Sequence, residues 1–300
     1  MFAPRPSTIA ALLLATSITA CAPATVAPPL PSYARAQPRA GAPLRYAVYE
    51  WNVDDAVERW KAGTLWRMLA AKHVDDVLAG FDDAQIATYS TKAGTAQFNA
   101  MIADGAKHGV TFELLLGDPS WIPSSGIPSL ESIWQRLHGI AFAGVNLDLE
   151  PNEVRGVPLK TVLDELVASM HVYVSASPWK PVTLDLNYYY ANGALTPPGY
   201  CILCRLQRAG VRSIDLMTYV RGAPAVASDA APILKAYPNV RFQIGQSVEP
   251  PNVLPPSDSY WGLGFARFYS DMEDLNARLT PAESYGGIVI ESLQYLELLR

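Results

Sequence analysis

From Leu44 onward the chain switches repeatedly between two periodicities. Short apolar runs, some strictly alternating, mark strands; apolar residues recurring every three or four positions mark helices. Strands are expected at 44–51, 74–81, 111–118, 144–150, 181–190, 212–220, 240–249 and 286–292. Helical patterns follow each: 54–73, 95–109, 129–140, 159–174, a short one at 202–209, then 230–237, 265–279 and 293–300. The segment 265–279 is the clearest, with Phe265, Phe268, Tyr269, Met272, Leu275 and Leu279 at helical spacing. Eight strands, each followed by a helical segment, imply a parallel sheet with right-handed crossovers. The expected fold is therefore α/β, a single-domain (β/α)8 TIM barrel over residues 45–300. An open doubly wound sheet is disfavoured, because no G-x-G-x-x-G or phosphate-loop pattern opens any helix.

The first 44 residues do not share this pattern. Residues 9–20, "IAALLLATSITA", form an apolar run too short to span a membrane, preceded by Arg5 and followed by Cys21. Residues 1–20 read as a secretory signal peptide. "ITAC" resembles the lipobox of bacterial lipoproteins, which implies lipidation of Cys21, attachment to the membrane by a lipid anchor and, with Ala22 next, the outer membrane of the cell envelope. Residues 21–44 continue as an Ala/Pro-rich tether without periodicity.

Half the residues are hydrophobic and 17% are charged, a globular composition. A net charge of −5 without basic runs argues against nucleic acid as a partner. Cys201 and Cys204 remain once Cys21 is assigned, and outside the cytoplasm a disulfide is the leading expectation, with free thiols or a redox or metal role as alternatives. His73, His108, His138 and His171 fall on or beside predicted helices, so neither a metal nor another cofactor is expected.

In a barrel of this kind chemistry sits at the C-terminal ends of the strands. Those ends carry Glu50 and Trp51, Asp118 and Trp121, Asn146, Asp148 and Glu150, Asp185, Asn187 and Tyr188, Met217 and Tyr219, Gln246 and Glu249, and Glu291. Acids and aromatic faces at one rim suit hydrolysis of a glycosidic bond. One carboxylic acid protonates the leaving oxygen, and a second group stabilises the oxocarbenium-like charge. Single acids such as Asp118 and Glu153 also serve as helix caps. Asp148 and Glu150 differ, because alternation turns both to the inner face, where mutual repulsion and burial raise a carboxyl pKa.

The stretch Ala143 to Glu150 resembles the strand-4 signature Asp-Gly-x-Asp-x-Asp-x-Glu of the family 18 glycoside hydrolases, the chitinase-like barrels. It keeps the last Asp as Asp148 and the Glu as Glu150, with Ala143 and Asn146 at the two earlier Asp positions. "DLMTY", 215–219, is similar to that family's Met-x-Tyr on strand 6. "GGIVIE" looks like its strand-8 ending, with Glu291 where a Trp usually stands. The resemblance implies a divergent member in which Glu150 is the general acid, while Asp148 and Tyr219 orient an N-acetyl oxygen as internal nucleophile.

The expected function is glycoside hydrolysis of a cell-envelope or extracellular polysaccharide by a monomeric, membrane-tethered protein. A carbohydrate-binding pseudoenzyme with a degenerate site is the alternative. A two-carboxylate glycosidase pairing Glu150 with Glu249 or Glu291 comes third, and metal-dependent hydrolysis fourth.

Overall fold

The computed structural model describes residues 43–300; the expected signal peptide, Cys21 and the expected tether as far as residue 42 lie outside the described residues. β1 (Tyr46–Glu50) is followed by α1 (Val53–Lys61) and α2 (Leu65–Ala71), and β2 (Val74–Gly80) by α3 (Asp83–Tyr89) and α4 (Lys92–Lys107). β3 (Thr111–Leu116) leads through two 3-10 turns to α5 (Ile127–Leu137), and β4 (Val145–Asp148) through one to α6 (Leu159–Ala176). β5 (Val182–Asn187) precedes α7 (Tyr188–Ala191) and α8 (Ile202–Arg208), and β6 (Ser213–Met217) precedes α9 (Ala223–Ala236). β7 (Arg241–Ser247), α10 (Phe265–Leu279), β8 (Tyr285–Glu291) and α11 (Leu293–Leu298) complete the chain. The strands pair in sequence order, all parallel, and β8 closes on β1. This is a single-domain (β/α)8 barrel.

Three elements depart from the periodicity reading. The helix expected over 54–73 breaks in two at Gly63, whose φ of 69° ends α1 with a left-handed residue. α3 is an additional seven-residue helix, too short to show a periodic stripe; Asp82 and Gln85 cap it reciprocally. α9 starts seven residues before the expected 230 and runs through Pro232. Pro224 occupies its first turn, where a missing N–H is harmless.

Strand alternation sorts the side chains into two populations. Those facing outward, among them Tyr46, Val48, Leu114, Val145, Leu147, Leu184 and Ile244, join the helices in one continuous core. Those facing inward divide around the barrel. Ala47, Tyr49, Leu78, Leu115 and Val289, from β8, β1, β2 and β3, form a separate apolar cluster. The opposite side, β4 to β7, is lined by buried polar residues: Asn146, Thr183, Asp185, Ser213, Asp215, Arg241 and Gln243. Half of the interior is thus packed as an ordinary core, and half is held by hydrogen bonds.

The loop after β3 is built tightly. Asp118 caps the turn Pro119–Trp121 by accepting the Ser120 N–H at 2.8 Å, and the turn Ser124–Gly126 folds back on it. A β-carbon on Gly126 would lie 2.2 Å from the Ser120 carbonyl oxygen and 2.7 Å from the Trp121 Cα. Gly126→Ala is expected to destabilise the protein by about 1–3 kcal/mol through overpacking. In urea this should appear as a lower unfolding midpoint at unchanged slope.

Candidate active site

The strand register sets three aspartates side by side. Asp148 on β4 pairs with Asp185 on β5, Asp185 with Asp215 on β6, and Asp215 with Gln243 on β7. All face the interior, on strands spaced about 4.8 Å apart. Asp215 is well held: it accepts the Asn146 side-chain amide at 2.9 Å, the Gln243 amide at 3.2 Å and the Tyr49 hydroxyl at 3.5 Å. Asp148 and Asp185 are held less completely, since each leaves its Oδ1 buried without a hydrogen-bond partner. Two glycines make room for this row. A β-carbon on Gly117 would press to 3.3 Å on the Asp148 Cβ, and one on Gly245 would come within 3.5 Å of the Tyr219 ring.

Above the row lies the mouth. β4 ends at Asp148, but alternation continues, so Leu149 packs into the outer core and Glu150 turns back toward the barrel axis. Glu150 precedes a 3-10 turn, Pro151–Glu153, and accepts the Asn152 side-chain amide at 3.2 Å. Across the mouth, Glu291 ends β8 and is only 9% exposed. The Trp51 indole N–H donates to Glu291 Oε1. The same indole stacks on Tyr49, centroids 5.9 Å apart and planes within 7°. Glu249, beyond β7, accepts the Ser247 hydroxyl at 3.3 Å.

Burial is the leading influence on every acid of this group. It pushes Asp148 up to about 7, helped by the charges of Glu150 and Glu153. Burial raises Glu150 as well, opposed by the Asn152 hydrogen bond. Asp185 is raised well above the carboxylate range by burial, then by Asp148 and Asp215, opposed by hydrogen bonds from Asn146 and Tyr49. Glu291 is raised by burial, opposed by the Trp51 hydrogen bond, and raised again by Glu249, Asp148 and Glu150. Burial lifts Glu249 also. The Tyr219 phenol is pushed upward by burial and then by Glu291, Asp148, Asp185 and Glu249, so it stands among them. A site of this kind retains protons at neutral pH, which general-acid chemistry requires.

The structure therefore brings together Asp148, Glu150, Tyr219, Trp51, Glu249 and Glu291 from the residues singled out in the sequence. Met217 faces the same interior, in register with Asn187 and Gly245. Asn146 is fully buried one step below Asp148 and serves Asp215.

Several expected substrate contacts are not at the mouth. Glu50 has the outward parity of Tyr46 and Val48. It lies buried beneath the helices, accepting the Asn52 N–H at 3.1 Å, and burial lifts its pKa to about 7. Gln246 also has outward parity, and its amide is spent on the carbonyls of Thr218 and Gly245 at 2.6 and 2.8 Å. Trp121 is 7% exposed within the outer core, its carbonyl accepting the Tyr173 hydroxyl. Asp118 and Asn187 stand at the C-terminal ends of their strands, Asn187 with the inward parity of Asp185, but their side chains act as caps, Asn187 accepting the Tyr189 N–H at 3.0 Å. Tyr188 packs against the outer core beside Tyr189.

Cys201 and Cys204 are joined in a disulfide at the start of α8. The four histidines sit in the helical layer or at helix ends: His108 stacks on Trp66, His73 on Phe265, and His171 contacts the Ala209 carbonyl. His138 closes α5.

Tyr49 and Asp215 escaped the sequence reading, and Asp185 entered it only as a strand-end acid. The signal was there in the alternation of "YAVYE" and "SIDLM", which turns Tyr49 and Asp215 inward.

No family model matches the chain, and no curated protein matches it in sequence. Solved structures share its fold. A xylanase from Cellvibrio japonicus, a thermostable mutant, aligns with a TM-score of 0.51 at 14% identity over 84% of this chain and 87% of its own. A chitinase from Bacteroides thetaiotaomicron aligns with 0.50 at 13% identity over 84% and 91%. The protein CpGH84B aligns with 0.52 at 10% identity over 85% of this chain, which spans about half (48%) of that protein. At these identities the likeness is one of fold, a barrel shared with glycosidases.

The raised Asp148 carboxyl sets a stability dependence on pH. Its folded pKa of about 7 lies above the ordinary 3.8, so the folded state holds the proton more tightly. Ionising Asp148 then costs stability, by an amount that is zero below about pH 4 and grows until about pH 7. The isosteric Asp148→Asn removes that cost. It is expected to melt a few degrees higher than the parent at pH 8, at roughly 2–4 °C per kcal/mol. At pH 4 the two proteins should melt together.

Proposed function

We propose that the protein is a glycoside hydrolase acting on a cell-envelope or extracellular polysaccharide, with Glu150 as its general acid. The observation that carries this reading is the position of Glu150. It leaves the end of β4 on the barrel side, half-buried, directly above Asp148, with its pKa raised by burial. A carboxylic acid whose pKa is raised by burial and that still reaches solvent is suited to protonating a glycosidic oxygen.

The remaining roles follow from the neighbours. Charge building on the anomeric carbon would be met by a set of acids with no cation paired to them. The family resemblance gives Asp148 and Tyr219 the task of orienting a substrate acetamido group. A second route is favoured by Glu291, which faces the mouth from β8 and is fixed by the Trp51 indole. There Glu291 is the second carboxylate, and the substrate needs no acetamido nucleophile. Secretion, lipidation at Cys21 and outer-membrane tethering belong to the same proposal; they rest on the lipobox resemblance and put such an enzyme beside envelope and extracellular glycans.

The test is hydrolysis by the purified protein and by Glu150→Gln, on chitin oligosaccharides, peptidoglycan and bacterial exopolysaccharides, with products read by mass spectrometry. The expected result is cleavage reduced about 10²–10⁴-fold in the variant. Sugar binding without released ends in either protein would instead make this a carbohydrate-binding barrel.

A further inference from the structure

Four acids stand around the mouth, Asp148, Glu150, Glu249 and Glu291, and a fifth, Asp185, lies beside Asp148 in the row beneath it. None of them makes an ion pair among the described residues; the salt bridges found there join other acids. The charges that act on Asp148, Asp185 and Glu291 are those of other acids. Acidic clusters on a surface are solvated and say nothing of ligands, but this one is not on a surface. Asp185 is 1% exposed and sits inside the barrel between Asp148 and Asp215; Asn146 and Tyr49 hydrogen-bond to it, but its Oδ1 has no partner. A buried carboxyl oxygen with nothing to bind is costly. A hydrogen-bond donor entering from the mouth, above all a charged one, removes that cost.

Beside the acids stands one fixed aromatic platform. Trp51 is 40% exposed, is covered on one side by Tyr49, and is tied through its N–H to Glu291. A ring stacked on this indole would have the Glu291 carboxylate at its edge.

We propose that the mouth takes a glycan bearing free amines, a de-N-acetylated hexosamine polymer, with its ammonium groups received by Asp185, Asp148 and Glu291 and a sugar ring carried on Trp51. This rests on the reading of the mouth as a sugar site and names the substrate class. An ammonium supplies three donors and a positive charge, in whose presence the acids release their protons to solvent and bind it as carboxylates. An N-acetylated sugar brings a neutral amide in its place, and a plain glucan brings only hydroxyls. A metal ion is the other cation to consider. Among the described residues no group of three acid, histidine or cysteine side chains has a geometry that could hold one.

The experiment is calorimetric titration of the full-length protein at low salt with three hexasaccharides: the glucosamine hexamer, the N-acetylglucosamine hexamer and cellohexaose. The glucosamine hexamer is expected to bind at least about tenfold more tightly than either other, with affinity falling as salt is added. Asp185→Asn and Glu291→Gln, each isosteric, should both weaken it about tenfold or more. Asp274→Asn, which removes an exposed acid on α10 far from the mouth, should leave affinity unchanged and so exclude general attraction to an acidic protein.

Equal or tighter binding of a neutral hexamer overturns the proposal, as does the absence of binding by all three. Spermine matching the glucosamine hexamer overturns the sugar component, and tight calcium or magnesium binding lost in Asp185→Asn makes this a metal site instead. Amine-dependent binding without cleavage upholds the proposal and removes the hydrolase reading. Glu150-dependent cleavage of N-acetylated or neutral oligosaccharides, with no preference for the amine, does the reverse.

Discussion

Burying carboxylates inside a closed barrel is the constraint on which the rest of this structure depends. Water cannot solvate Asp185 or Asp215 there, so each must be matched by protein donors, by protons or by a ligand. Asp215 is matched by protein: Asn146, Gln243 and Tyr49 all donate to it. Asp185 and Asp148 are not fully matched, and both respond by retaining protons. The polarity of the β4–β7 side of the barrel follows from the first solution. The acid–base character of the mouth follows from the second.

That division also explains what position 146 does here. Position 146 lies two residues before Asp148 on the same inward face. Asn146 cannot share a proton with it, and its amide is directed downward to Asp215. The carboxyl beside Asp148 comes instead from the neighbouring strand, as Asp185. Here the two adjacent acids lie one strand apart around the barrel rather than two residues apart along β4.

The fold was legible because its signals are repetitive. Eight alternations of a short apolar run with a helical stripe leave few topologies, and closure in sequence order is the simplest. What escaped were elements below the length of a pattern, such as α3, and boundaries at Gly63 and Pro224, where one residue's backbone preference outweighs the stripe. The site was legible on β4, where strict alternation through Glu150 fixed the parity of both acids. It was misread wherever a polar residue near a strand end was taken without its parity. Glu50 follows Tyr49 and Gln246 follows Gly245, and in each pair the first faces in and the second faces out. Trp121 shows a different limit. An aromatic in a rim loop reads as a platform, yet the tight turn closed by Gly126 folds it into the core. The register that lines up Asp148, Asp185 and Asp215 depends on how much each strand is shifted against the next, and no local pattern carries that shift.

Protons and cations are alternatives in such a site, and the depth of each acid decides which it uses. Asp185, the more deeply buried, gains most from a charged donor once it ionises, because the field of a carboxylate is least screened there. Glu150, half-exposed above it, is open to proton exchange with solvent, as the general acid of the proposed reaction would have to be. A cation received below would lower the pKa of every acid around it, Glu150 included. A charge held at Asp185 and Asp148 therefore makes Glu150 a stronger acid at the moment the site is occupied. The same acids that bind an amine would tune the proton donor above them, and substrate charge would be read as reactivity as well as affinity.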